Sequence, residues 1–397
     1  MPNELPPELW IIILRWATYP LDGYPASHYE PFRTSSEKFE EPLRTKLVLV
    51  QVCRLWRALA TVFLYEDVRF RRDSRSLKAV LADYQLADSE TFQSHSLGKF
   101  VHRLELSYTQ TATERPGDTH DVVEILDSCP SLTTLVRPFF EALPDFVRYE
   151  FPAEIVSLSS LTRLEWWHYN NAARSGGINC LMDVLRNAPS LQYLALGGEF
   201  WMNSMNLDSQ IRLPALTTLR LKRVNALFVW QIRRWELPSL VHVVVDFPAD
   251  HGGLEELWDH YGNQLCTVEF GRNLAFHMTD QISPFLRACV GVKVFNYFIN
   301  FTAPPTESLL VEQSSLKCVG IHAFPCGILL DNWRHLNHHF DFLSSRFLPA
   351  LKRIILYGDW QQTIEDSRIS PALDRLTQKG CTVLLADQLT SPPCDHL

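Results

Sequence analysis

Five short segments of this chain share one pattern, and their spacing limits what the rest can fold into. Cys129-Pro130-Ser131-Leu132, Ala188-Pro189-Ser190-Leu191, Leu213-Pro214-Ala215-Leu216, Leu237-Pro238-Ser239-Leu240 and Leu348-Pro349-Ala350-Leu351 each end on an anchoring leucine. Four of the anchors are followed by two residues and then an apolar-x-apolar alternation: Leu194 and Leu196, Leu219 and Leu221, Val243 and Val245, Ile354 and Leu356. Such alternation reads as a short strand with one buried face, and the proline stops any helix that precedes it. Leu161 and Leu316 follow Ser-Ser instead, and Val101, Leu265, Val292 and Cys381 are weaker matches. Together the anchors recur at intervals of 24 to 35 residues, 28 on average. Self-similarity at a fixed period marks an array in which each turn of chain buries its apolar face against its neighbours.

That interval falls in the leucine-rich-repeat window of roughly 20 to 29 residues, with a few longer turns. Helices are expected between strands at Asp121–Ser128, Cys180–Asn187 and Ile282–Ala288. The fold class expected is therefore α/β: an irregular leucine-rich-repeat solenoid over 71–397, with about ten short strands in one parallel, curved sheet. Its core should contain Leu191, Leu194, Leu196, Leu216, Leu219 and Leu221. The repeats are degenerate. The small polar residue expected three positions after each strand is mostly missing: Thr109 can serve, Val224 cannot. Arg137 also stands where a buried strand residue belongs. A doubly wound sheet is the rival, but no glycine-rich strand-to-helix turn supports it. Tyr65–Phe70 is expected as a first strand, and Ser76–Leu86 as a connecting helix.

Composition narrows the function. Hydrophobic residues make up 46% of the chain and mean hydropathy is -0.08, enough to bury a core along most of its length. A formal charge of -8 argues against a nucleic-acid partner, which needs a basic stripe. The nine cysteines are odd in number and no pair has zinc-ligand spacing, so they read as reduced, buried hydrophobes. No segment reaches the roughly 18 apolar residues needed to span a bilayer. The run Trp10–Leu14 is too short for a signal peptide and follows Glu4 and Glu8 instead of basic residues. A cytoplasmic or nuclear protein without a membrane partner is expected. Phosphate loops, nucleophile elbows, HExxH and dinucleotide fingerprints are all absent from the sequence, so neither an enzyme nor a cofactor is expected.

The first seventy residues have a different character. Leu5-Pro6-Pro7-Glu8-Leu9 opens a helix, since prolines fit a first turn and Glu8 suits the dipole. Leu9, Ile12, Ile13 and Trp16 form one apolar face, yet Trp10, Ile11 and Leu14 are apolar too. A second helical pattern runs from about Thr45 to Phe63, with Val48, Val52, Leu55 and Leu59 in one stripe and Leu49, Cys53, Trp56 and Ala60 beside it. Both arcs are wider than one contact requires.

Leu5-Pro6-x-Glu8-Leu9 with its aliphatic helix, followed by Val52-Cys53-Arg54-x-Trp56-Arg57-x-Leu59-Ala60, resembles the F-box motif. The resemblance implies an all-helical F-box-like segment over 1–70 that docks a Skp-type adaptor, and through it a cullin–RING ubiquitin ligase complex. It assigns Leu5, Pro6, Leu9, Ile12 and Ile13 to the adaptor face from the first half, and Val52, Trp56 and Leu59 from the second. The chain departs from the motif between the halves, where residues 19–44 carry prolines, aromatics and charges without a period. This looks like an insertion of the kind found in fungal F-box-like proteins.

A client protein is expected on the solenoid. Strand residues between buried positions should line its concave face: Glu105, Val136, Glu165, Ala195, Arg220, Val244, Glu269, Asn296, Gly320 and Ile355 in a central column. Neighbouring columns hold Arg163, Tyr193 and His242 on one side, Trp167 and Lys222 on the other. Trp, Tyr and Arg dominate interface energetics, so Arg163, Trp167, Tyr193, Arg220 and Lys222 are the client-binding candidates. His335, His338 and His339, near Asp331 and Asp341, have the helical spacing for two imidazoles on one metal. A solvated helix face is the expected reading, with no metal site. A second reading of the whole chain is a ligase-independent scaffold whose N-terminal helices only cap the solenoid's open end.

Overall fold

The computed structural model describes residues 5–18, 29–32, 40–70, 74–82, 96–106, 119–139, 151–168, 181–198, 210–246, 253–273, 275–306, 311–326 and 332–388. Twelve strands form one open sheet, and their order in the sheet is their order in the sequence. They are β1 Asp67–Phe70, β2 Arg103–Leu106, β3 Thr134–Arg137, β4 Arg163–His168, β5 Tyr193–Gly198 and β6 Thr218–Lys222. They continue as β7 His242–Asp246, β8 Thr267–Phe270, β9 Val294–Phe298, β10 Cys318–His322, β11 Arg353–Tyr357 and β12 Thr382–Leu385. The registered pairs run parallel. The fold is thus mixed α/β with a parallel sheet of twelve strands, not about ten.

The anchors explain why strands start where they do. Each anchor is buried, with at most 5% exposure, and from Val101 to Leu351 the strand begins two residues later. At strand entry one carbonyl accepts two successive N–H groups of the next strand. His102 O takes those of Thr133 and Thr134 at 3.0 and 2.9 Å, Val241 O those of Cys266 and Thr267 at 2.9 and 3.0 Å, and Lys293 O those of Lys317 and Cys318 at 2.9 and 3.1 Å. Each strand is thereby phased to the one before it. All six core leucines named from the sequence are fully buried. Thr109, Asp331, Cys180 and Cys394 lie outside the described residues. Burial pushes the Cys129 and Cys289 thiols up to about 12, which makes them poor nucleophiles.

By internal contacts the chain divides into two compact units. Met1–His28, Thr34–Leu194 and Asn203–Leu216 form the first; Tyr29–Arg33, Ala195–Met202 and Thr217–Leu397 form the second.

In the first unit, α1 (Pro7–Thr18), α2 (Glu40–Val52) and α3 (Arg54–Glu66) pack on one another, and α3 runs directly into β1. The single helix expected over 45–63 is two. Cys53 adopts an extended conformation (φ -159°, ψ 172°), and its Sγ accepts the Trp56 N–H at 3.4 Å as an N-cap. No proline or glycine marks this break, so hydrophobic periodicity runs through it. Leu14, Ala60 and Phe63 form the bundle's small core, with Leu49, Val50, Trp56 and Leu59 packed against it. Arg137 on β3 is only 2% exposed and lies over the Trp166 and Phe151 rings at 4.5 and 5.3 Å. Two aromatic faces therefore take the guanidinium that looked misplaced in the sequence.

In the second unit the helices 226–232, 253–261, 282–288, 332–344 and 370–378 lie between strands of β6 to β12, and the β9–β10 connection carries only the 3-10 turn Ile299–Phe301 among the described residues. Polar side chains from later in the chain bind carbonyls where earlier helices end. Tyr261 Oη donates to Ile232 O and Trp235 O at 2.8 and 2.9 Å, and Gln313 Nε2 donates to Leu286 O and Cys289 O at 2.5 and 3.2 Å. These long-range caps tie successive segments together. Gln313 is itself 3% exposed, and Gln313→Leu removes a buried donor shared by Leu286 O and Cys289 O, the second of which keeps the Val292 N–H at 3.3 Å. It should lower unfolding stability by about 1–3 kcal/mol in urea titration.

Of the three clustered histidines His338 is exposed, but the other two are not part of a solvated face. His335 and His339 are 8% and 0% exposed, with Nε2 at 2.7 Å from Ile299 O and 2.9 Å from Thr302 O. A carbonyl cannot donate, so both rings carry their proton on Nε2, and His339 Nδ1 accepts from Tyr297 Oη at 3.3 Å. Among the described residues, no three His, Cys, Asp or Glu side chains come together to hold a metal. Burial lowers the pKa of both rings, that of His339 furthest. Below about pH 6.5 the unfolded chain therefore binds protons that the folded chain does not, and stability falls as pH drops. The melting temperature should hold above that pH and decline below it. His339→Gln, which keeps a donor but cannot be protonated, should reduce the decline.

Candidate functional site

A helix that is apolar nearly all round needs cover on more than one side, and α1 has it on one. Leu14 is 1% exposed, whereas Leu9, Ile12 and Ile13 are 44–51% exposed and Trp16 is 81% exposed. Leu5 and Pro6, just before α1, are exposed too. On the neighbouring helices Leu47, Val48, Val52 and Leu55 are likewise exposed. Six residues of the expected adaptor face, Leu5, Pro6, Leu9, Ile12, Ile13 and Val52, thus present surface. Trp56 and Leu59 present less. They lie half-buried against the Leu14–Ala60–Phe63 core, and Trp56 meets Trp10 at 5.1 Å between ring centroids. These two share the inward stripe of α3 and hold the bundle together. Trp16, Leu47, Val48 and Leu55 were not assigned from the motif, although the breadth of the apolar arcs already pointed to them.

On the strand face of the first unit, side chains engage one another. Arg103 donates to Asp67 Oδ1 at 2.6 Å and to Glu105 Oε2 at 2.9 Å. Arg163 donates from both Nε and Nη2 to the one oxygen Glu165 Oε1 (2.9 and 2.7 Å) and lies 3.7 Å over the Tyr193 ring. Arg163 and Tyr193 are 5% and 6% exposed, so neither is the open contact residue expected of it. An arginine flanked by a carboxylate and a tyrosine ring folds down onto the sheet instead of reaching out. Trp167 is half-buried against Phe139 at 4.4 Å, while Trp166 is core.

The second unit carries the most structured part of the face. Register places Arg220, Val244, Glu269, Asn296, Gly320 and Ile355 side by side across β6 to β11, as the column predicted. It also places Phe298, His322 and Tyr357 in one row at the ends of β9, β10 and β11. Residues 29–32, from the insertion between the motif halves, lie on this face. Tyr29 Oη donates to Glu269 Oε2 at 2.7 Å and accepts from Asn296 Nδ2 at 2.5 Å, with its ring 5.2 Å from that of His242. The Phe32 N–H donates to the same Glu269 oxygen at 2.8 Å. The Phe32 ring sits edge-on among Phe298, His322 and Tyr357, at 4.9, 5.2 and 4.8 Å.

The backbone is shaped around this contact. Phe32 has φ +57°, a left-handed conformation that a bulky side chain holds only when its surroundings over-determine it. Gly320 has no Cβ to collide with Asn296 Oδ1 or press on the Tyr357 ring, and a Cβ on Gly358 (φ +81°) would stand 2.8 Å from His322 Cε1. Glu269 is 1% exposed, and burial raises its pKa against the pull of Arg220, the Phe32 N–H and the Tyr29 hydroxyl. Of the client candidates, Arg220 and Lys222 are half-buried on this face. Tyr29 and Phe32 were missed, because contacts spanning 240 and 237 residues leave no mark in local periodicity. Aromatics in an otherwise polar insertion were the one available signal.

Among the described residues, no helix is long and apolar enough to cross a membrane. No protein-family model matches the sequence, and no curated protein matches it significantly.

Proposed function

We propose that the chain is a substrate-recognition subunit of a cullin–RING ubiquitin ligase. Its N-terminal helices are F-box-like and dock a Skp-type adaptor. Its sheet is an irregular, curved leucine-rich-repeat solenoid that holds a client protein, and the subunit performs no covalent chemistry itself. One observation carries the reading: α1 to α3 leave Leu5, Leu9, Ile12, Ile13, Trp16, Leu47, Val48, Val52 and Leu55 exposed. An apolar patch of this kind marks a partner site. Helices that served only as a cap would bury these faces within the monomer, so the exposure favours recruitment over the scaffold reading. The test is binding of the purified chain to a purified Skp-type adaptor by calorimetry. Micromolar or tighter affinity is expected. Absence of binding at those concentrations ends the ligase reading and leaves the scaffold.

A further inference from the structure

We infer that the cradle on β7 to β11 is a recognition site for a client segment of the form Tyr-x-x-Phe, and that residues 29–32 are its resident pseudo-ligand. The inference rests on the proposal that the sheet face takes a client, and it names the chemistry that face selects. Three features of the contact are those of a peptide site. First, the contact centres on two side chains and one amide: the Tyr29 hydroxyl and the Phe32 N–H meet on one carboxylate oxygen, and the Phe32 ring enters an aromatic row. The intervening Glu30 is exposed and Pro31 half-exposed. Second, the receptor half is assembled by the strands themselves. Phe298, His322 and Tyr357 are aligned by strand register, Glu269 lies within the influence of Arg220, and Gly320 leaves the room that Asn296 and Tyr357 use. Third, the segment forms no strand and its conformation is one the chain adopts with difficulty, since Phe32 is left-handed.

The two subsites select differently. A hydroxyl that both donates to Glu269 and accepts from Asn296 distinguishes Tyr from Phe at the first position. The second is a ring slot lined by three aromatic edges, which a smaller side chain leaves partly empty. Because the resident segment is tethered, it competes at an effective concentration on the order of millimolar. A client carrying the motif must therefore displace it, and weak or truncated motifs are turned away. The same tether makes the site silent in simple mixing experiments with short peptides, so the test vacates it first.

The probe is a fluorescein-labelled peptide with the sequence of residues 28–33, His-Tyr-Glu-Pro-Phe-Arg, titrated by anisotropy into the full-length chain. Tyr29→Ser with Phe32→Ser vacates the cradle. This variant should bind the peptide with a dissociation constant of about 10–100 μM, at least about tenfold tighter than the wild-type chain does. Adding Glu269→Gln to the vacated variant should weaken binding at least about tenfold, because two donors lose a charged acceptor. A peptide with Ser in place of Phe should not bind. In the wild-type chain, millimolar peptide should accelerate hydrogen exchange at residues 29–32, a readout that needs no variant. Absence of peptide binding by a folded vacated variant, equal binding to both chains, or unchanged exchange under saturating peptide would each overturn the inference and make the segment a fixed brace of the sheet. None of these measurements uses the adaptor, so they stand or fall separately from the ligase proposal.

Discussion

A chain carrying Leu5→Asp and Leu9→Asp should lose adaptor binding while keeping its circular dichroism and its melting transition. Leu5 and Leu9 are 42% and 44% exposed, and neither belongs to the Leu14–Ala60–Phe63 cluster that holds α1 to its neighbours. Their replacement therefore removes little from the fold. In a complex the balance is different. A helix-based interface of about 1,600 Å² total would cover the exposed apolar residues, with a few large anchors supplying most of the affinity. Each aspartate would then be forced into a desolvated groove without a partner, at a cost of about 2 kcal/mol or more. Two such changes lower affinity at least several-hundred-fold, which moves a micromolar complex beyond detection in calorimetry. Trp16→Ala offers a milder check: an 81% exposed tryptophan matters to binding and hardly to stability. If the double variant unfolds the whole chain instead, α1 is structural and the scaffold reading is the better one.

The parts of this architecture that show in the sequence are those set by local rules. Pro-x-Leu anchors and the alternation after them put Leu194, Leu196, Leu219 and Leu221 in the core and fixed which residues share a column, because parallel pairing carries one strand's phase to the next. The helix 282–288 was expected at its observed bounds for the same reason. What escaped notice depends on distant partners. Arg163 looked like a contact residue because its neighbour along the strand is buried core; its own burial comes from Glu165 and Tyr193. His335 and His339 looked solvated because their helix is polar by composition, yet they reach carbonyls 36 and 37 residues away. Cys53 ends α2 by its backbone conformation alone, a signal the residue type does not carry. The resemblance to the F-box motif pointed to exposed apolar surface, but it could not separate Val52, which is exposed, from Trp56 and Leu59, which lie half-buried against the helical core.

Phe270→Ala should destabilise the second unit by about 3–5 kcal/mol, the largest loss expected from any single truncation considered. Phe270 is fully buried on β8 and is the hub of an aromatic cluster. It stacks on Phe276 at 5.0 Å and 3°, meets Phe295 and Phe285 edge-on at 5.1 and 5.6 Å, and lies 6.3 Å from Trp258. Those partners come from three helices and the adjoining strand β9, so no single neighbour can move in to fill the space. The cost is the lost transfer energy of a phenyl ring plus the cavity it leaves, with several ring–ring contacts of about 0.5–1.5 kcal/mol removed as well. Because consecutive strands contact one another in chain order, damage at β8 also weakens the link between β7 and β9. Melting should accordingly broaden or split into two steps, which calorimetry detects as a van't Hoff enthalpy below the calorimetric one. Glu269 precedes Phe270 and points to the opposite face, where it meets Tyr29 and Phe32, so the same substitution should also loosen residues 29–32. A single unshifted transition would show that the cluster relaxes around the missing ring, and that β8 is not the joint on which this part of the sheet depends.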